Sequence, residues 1–122
     1  MRKDVAAESE ETARVIQRFN DVFLRHDPAP LRELVADDCV IENISPAPDG
    51  ARTVGRDACV TLWETLATKP GTHFDVEETL VAEDRAIIRW RYWLDENTSI
   101  RGVNVMRVRA GSIVEALGYV KR

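Results

Sequence analysis

The stretch from His73 to Val120, HFDVEETLVAEDRAIIRWRYWLDENTSIRGVNVMRVRAGSIVEALGYV, decides the fold of this chain. Through most of it apolar side chains alternate with polar ones, the period of a strand that buries one face. Turn-forming residues interrupt the pattern at Glu83-Asp84, Glu96-Asn97 and Ala110-Gly111, leaving strands over 74–82, 85–94, 99–109 and 112–120. Strands joined by turns this short pair antiparallel with their sequence neighbours, which predicts a meander.

Upstream the period is helical. Ser9 is placed to cap a helix with Glu10 and Glu11 in its first turn, and Val15, Ile16, Phe19, Val22 and Phe23 make its apolar stripe to near Arg25. His26 follows at the helix end, suited to a solvated or capping role. Asp27-Pro28 opens a short second helix with Leu31, Leu34 and Val35 on one face. Within DDCVIENISPAPDG, residues 37–50, a strand is expected over 39–45. A third helix from about Arg56 lines up Ala58, Cys59, Leu62, Trp63 and Leu66 until Lys69-Pro70-Gly71 stops it. Helices first and strands afterwards predict an α+β domain, with three N-terminal helices packed in the concave face of a curved mixed or antiparallel sheet. Such a cone has an interior. Residues 1–8 read as a flexible tail, and 9–122 as one domain.

The totals narrow the function classes. A chain of 122 residues with 44% hydrophobic and 31% charged residues is a globular single domain. Its net charge of -4 disfavours wholesale binding to nucleic acid or an anionic membrane. Two cysteines, Cys39 and Cys59, without a CxxC or Cys/His cluster, predict buried thiols in a reducing, cytoplasmic compartment and neither a disulfide framework nor a metal site. No apolar run approaches the ~20 residues that span a bilayer.

The order of elements, with FLRHDPAPLRELVADDCVIENISPAPDG and the ending RGVNVMRVRAGSIVEALGYVKR, resembles the nuclear transport factor 2-like superfamily, especially SnoaL-like proteins. The resemblance runs from about Ser9 to Lys121 and implies the cystatin-like cone. It does not imply one activity, because ketosteroid isomerases, polyketide cyclases, epoxide hydrolases, dehydratases and non-catalytic binding modules share the fold. Against ketosteroid isomerase, which uses an aspartate base with a tyrosine and a protonated aspartate as oxyanion donors, Asn43 falls at the base, Phe19 at the tyrosine and Asn104 at the oxyanion aspartate. A carboxamide has no usable basicity near neutral pH and a phenyl ring has no proton to donate, so that chemistry is absent in its known form.

Alternation and resemblance together put Ile41 and Asn43, then Ile88, Trp90, Tyr92 and Leu94, then Asn104, Met106 and Val108, then Val114, Ala116 and Val120 on the inner face, closed by Phe19 and Trp63. The expected ligand-binding set is therefore Phe19, Asn43, Trp63, Trp90, Tyr92, Asn104, Met106 and Val120. An apolar, aromatic cavity with a few orienting amides suits a hydrophobic small molecule bearing an oxygen function, without a cofactor. The alternative is a cofactor-free cyclase, isomerase or dehydratase working through Tyr92, His73 or an acid such as Asp49 at the mouth. The same side chains could also serve simply as core. The outer face would carry Arg89, Arg91 and Trp93, then Val105, Arg107 and Arg109, then Leu117 and Tyr119, with the arginines paired to Glu42, Glu77 or Glu115. That mixture reads as a homodimer surface.

Overall fold

Residues 4–121 are described in the structure, a computed structural model. Helix α1 spans Val5–Leu24 and starts four residues before the Ser9 cap suggested by the sequence, because Asp4 caps it: its carboxylate accepts from the Ala6 N–H at 3.0 Å. Ser9 serves a later element, its hydroxyl accepting from the Glu83 N–H at 2.9 Å. Of the expected tail, Val5 to Glu8 are therefore helical, and residues 1–3 lie outside the described residues. The buried stripe is Thr12, Val15, Ile16, Phe19, Val22 and Phe23.

Asp27 opens the next turn as expected, its carboxylate accepting from Ala29 N–H at 3.1 Å. Helix α2, however, is a single turn, Leu31–Leu34, and Val35 already belongs to strand β1, Val35–Glu42. A short strand β2, Arg52–Val54, folds back antiparallel on β1 before helix α3, Arg56–Thr68. Four strands follow: β3 His73–Ala82, β4 Arg85–Trp93, β5 Ser99–Arg109 and β6 Ser112–Lys121. The meander is present, β3 to β6 pairing antiparallel in sequence order.

The larger architecture departs from the expectation. Only two helices precede the sheet, since α3 is inserted between β2 and β3, and the chain is not three N-terminal helices followed by strands. The sheet is an open one of six strands in the order β2-β1-β6-β5-β4-β3, with β2 and β3 as free edges, rather than a curved cone. It is mixed, because β1 runs parallel to β6. A parallel neighbour needs a long connection, and the stretch from β2 through β5 supplies it.

The inner face of this sheet is divided along the strands. Toward one end Met106, Ile113, Val35 and Cys39 are fully buried against Ile16, Leu31, Leu34 and Cys59, which is the packed core. Toward the other end the rows Ile88↔Asn104↔Gly118 and Trp90↔Gly102↔Val120 replace bulky aliphatics with glycines and polar groups. On β3 the register slips between Val76 and Glu78, and this bulge turns Glu77 and Glu78 to the same outer side. There Glu77 takes a bidentate contact from Arg101 at 2.9 Å and Glu78 pairs with Arg89 at 2.9 Å. Among the described residues no helix is long and apolar enough to cross a membrane.

Candidate functional site

At the glycine-bearing end of the inner face lies a cavity of about 510 Å³. Its floor is built from side chains that the alternation of β1, β4 and β6 turns inward, Ile41, Ile88, Trp90, Tyr92 and Ala116, all buried. Helices α1 and α3 bring Phe19 and Trp63 over it, their rings 4.7 Å apart and edge to face. Phe23 and Phe74 continue the aromatic wall. Phe74 stacks on Tyr92 at 4.4 Å and meets Trp90 edge-on at 5.7 Å. The rim is more exposed and more polar, with Ser45, Thr65, Lys69 and Leu94.

Two amides interrupt the apolar wall. Asn104 lies between Ile88 and Gly118 in the ladder, and its Oδ1 accepts the indole N–H of Trp90 at 3.1 Å. Asn43 follows β1; its backbone N–H donates to Ala51 O at 2.9 Å, which ties down the loop without using the side chain. The register Glu42↔Leu117 continues to set Asn43 beside Gly118, so the two asparagines flank that glycine on one face. Across two strand spacings their Cα atoms are roughly 9–10 Å apart. No hydrogen bond joins them, and the Ile44 side chain reaches over Gly118.

Gly102 is what seats Trp90. A Cβ there would fall 2.6 Å from the indole Cζ2 and would meet the Tyr119 carbonyl, so only glycine lets the ring lie against β5 and reach Asn104. Tyr92 differs from the amides: its hydroxyl is buried and has no hydrogen-bond partner. An orphaned hydroxyl costs about 1–3 kcal/mol, which marks it as a group with an unused proton.

The remaining candidates fall elsewhere. Met106 is inward but fully buried in the packed core, and Val120 is half-buried beside the cavity without lining it. His73 stands outside the wall, exposed and stacked on Trp93 at 5.9 Å, because Phe74 takes the inward position next to it. Asp49 is exposed in the turn before Gly50 and does not line the cavity. His26 packs its Nδ1 2.9 Å from Ala67 O, joining the ends of α1 and α3. The acidic residue of the wall, Glu42, has its carboxylate 4.0 Å from Arg52 on β2. Cys39 and Cys59 are free and buried, and burial pushes both thiols up, so neither is a thiolate nucleophile near neutral pH. No His/Cys/Asp/Glu cluster able to hold a metal occurs among the described residues.

Phe23, Phe74, Leu62, Leu66 and Ile100 also line the cavity, and sequence reasoning did not assign them to it. The signal for Phe74 was available, since it alternates with Val76 between the polar His73 and Asp75.

Comparison with known proteins agrees with this geometry. A SnoaL-like domain model matches residues 16–116. The crystal structure of an NTF2-like protein of unknown function from Mesorhizobium loti is 62% identical, covers 100% of this chain and 98% of its own, and superposes with a TM-score of 0.93. A steroid delta-isomerase from Pseudomonas aeruginosa is 16% identical, with coverage of 92% and 80% and a TM-score of 0.77. An LEH-like epoxide hydrolase of M. tuberculosis is 17% identical, with coverage of 93% and 85% and a TM-score of 0.73. At these last identities the likeness is one of fold. No protein of curated function matches the chain.

Gly102→Ala should unseat Trp90 and destabilise the protein by about 1–3 kcal/mol, the usual cost of overpacking. Denaturant unfolding followed by tryptophan emission would measure it. A variant as stable as the parent would show that the indole does not depend on the missing Cβ.

Proposed function

The chain belongs to the SnoaL-like domain family, and from that premise we propose that it is a cytoplasmic small-molecule-binding protein whose cavity takes a hydrophobic ligand bearing an oxygen function. The observation that carries this reading is the pairing of a 510 Å³ aromatic cavity with two amides that project from its wall and do not satisfy each other. The volume falls within the range usual for small-ligand sites, and an apolar wall with a few placed polar groups is their usual character. Amides orient a ligand through its oxygen; they do not move protons near neutral pH.

The acid-base alternative would place a proton-transferring group against the ligand. His73 faces away from the cavity, Asp49 lies outside it, and Glu42, the carboxylate among the lining residues, is partly exposed and set 4.0 Å from Arg52. Tyr92 lines the wall, but its hydroxyl has no base beside it to take its proton. These positions favour binding over cyclisation, isomerisation or dehydration.

We also propose that the outer face of the sheet pairs with a second copy of the chain. The ladder aligns Leu80, Ile87, Val105 and Leu117 in one row across four strands, and the next row ends in the exposed Tyr119. The arginines around this row are largely engaged within the chain. Arg89 and Arg101 pair with Glu78 and Glu77, while Arg91 donates to Ser99 and lies over Trp93 at 5.6 Å. Arg107 lies between Arg85 and Glu115 in the ladder. A neutralised, apolar strip is what a homodimer core needs, and arginines committed to acids are poor ligands for nucleic acid.

Two results are expected. The bicyclic ketone 2-decalone should quench the emission of Trp63 and Trp90, and Asn43→Ala should weaken its binding by roughly 0.5–3 kcal/mol. An unchanged affinity would remove Asn43 from the site. In sedimentation equilibrium the protein should have twice the 13.8 kDa chain mass and Val105→Asp should return it to that mass. A parent that sediments only as the single chain at micromolar concentration would contradict the dimer.

A further inference from the structure

The hydrogen bond between Trp90 and Asn104 fixes which way an amide points. An indole nitrogen carries a proton and no available lone pair, so it can only donate. The atom of Asn104 that it meets at 3.1 Å must be the carbonyl oxygen, and the amide nitrogen is the end left over. That nitrogen has no hydrogen-bond partner in the protein and belongs to a residue that lines the cavity. The ring that imposes this is itself held: Trp90 is 7% exposed, meets Phe74 edge-on, and rests where Gly102 leaves no Cβ. At Gly118 a Cβ would press on the Ile44 side chain at 3.2 Å while standing in ordinary contact with Asn104 Oδ1 at 3.5 Å. Asn43 has no comparable clamp on its side chain, and its amide is free to turn either end inward.

We propose that Trp90 is a positioning residue that makes Asn104 a fixed hydrogen-bond donor, so that this side of the cavity selects a ligand oxygen that accepts, such as the carbonyl of a ketone, ester or lactone. The proposal deepens the binding reading above and rests on it. An alcohol placed against the Asn104 amide nitrogen can accept from it, but its own proton gains no acceptor from the same side chain, whose carbonyl oxygen is turned to the Trp90 indole. In the intact protein Asn43 can turn its carbonyl to take that proton. The selectivity of Asn104 is therefore seen when Asn43 is replaced by an isosteric apolar residue.

The test uses 2-decalone and 2-decalol as matched probes, read by tryptophan quenching and by calorimetry. In Asn43→Leu, the ketone should bind on the order of tenfold more tightly than the alcohol, the expected cost of an orphaned hydroxyl proton. Adding Trp90→Phe releases the amide, which can then present either end, and the preference should shrink to within about twofold. Equal binding of the two probes by Asn43→Leu overturns the proposal while leaving the binding reading intact. Failure of the unaltered protein to bind either probe overturns both. Because Trp90→Phe leaves a gap over Gly102 that works against folding, amide NMR of the unaltered protein gives an independent measure. Saturating 2-decalone should shift the Asn104 side-chain NH2 signals and leave the Trp90 indole proton slow to exchange. An unmoved Asn104 signal, or an indole proton released on binding, overturns the proposal.

Discussion

An indole N–H has one use in a hydrogen bond, and at Trp90 that restriction organises the polar end of the cavity. The ring must lie close enough on β5 to reach Asn104, which requires glycine at position 102; the amide it meets is then held with its oxygen toward the indole. Half of the inner face is packed as core around Met106 and Ile113, and the other half is held open by this arrangement together with Gly118. A ladder filled with aliphatics along its whole length would have had no room for a ligand. Gly118 lines that cavity, whereas Gly102 leaves room for the Trp90 ring that forms part of its wall.

The two faces of the same strands are specialised by the same alternation. Inward positions carry aromatics and amides, while outward ones carry arginines matched to acids, around an apolar row. The bulge at Glu77 increases that matching by turning two successive acids outward, where Arg101 and Arg89 meet them. Exposed ion pairs of this kind add little stability, but they leave the face without a strong single-sign field. The binding site and the proposed contact surface therefore share strands without sharing side chains.

Much of this was legible in the sequence, in a graded way. The four strands after His73 were readable because period 2 persists through them and turn residues break it cleanly. Period and the family resemblance together put Trp90, Tyr92 and Asn104 on the cavity side, and the resemblance put Asn43 there. Period assigns a face but not a position along the strand, which is why Met106 was expected in the site and lies instead in the packed core. Strand β2 was invisible, since Arg52-Thr53-Val54 is too short to carry a period and sits between glycines. Val35 fitted the stripe of a second helix as well as the start of a strand, so β1 was expected to begin late. The parallel pairing of β1 with β6 joins segments about seventy residues apart, and nothing local encodes it. The Trp90–Asn104 bond was likewise beyond reach, because it depends on the exact seating of a ring over Gly102.

The central claim is that this cavity holds an oxygen-bearing ligand without moving its protons. Deuterium incorporation at the α-carbons of 2-decalone, followed by mass spectrometry in D2O with the protein present, tests it most directly. The account predicts that the protein adds nothing to the buffer rate, and that Asn43→Asp, which places a carboxylate in the same wall, gains measurable exchange. Exchange catalysed by the unaltered protein would contradict the account and would make Glu42, the carboxylate among the lining residues, the first base to test.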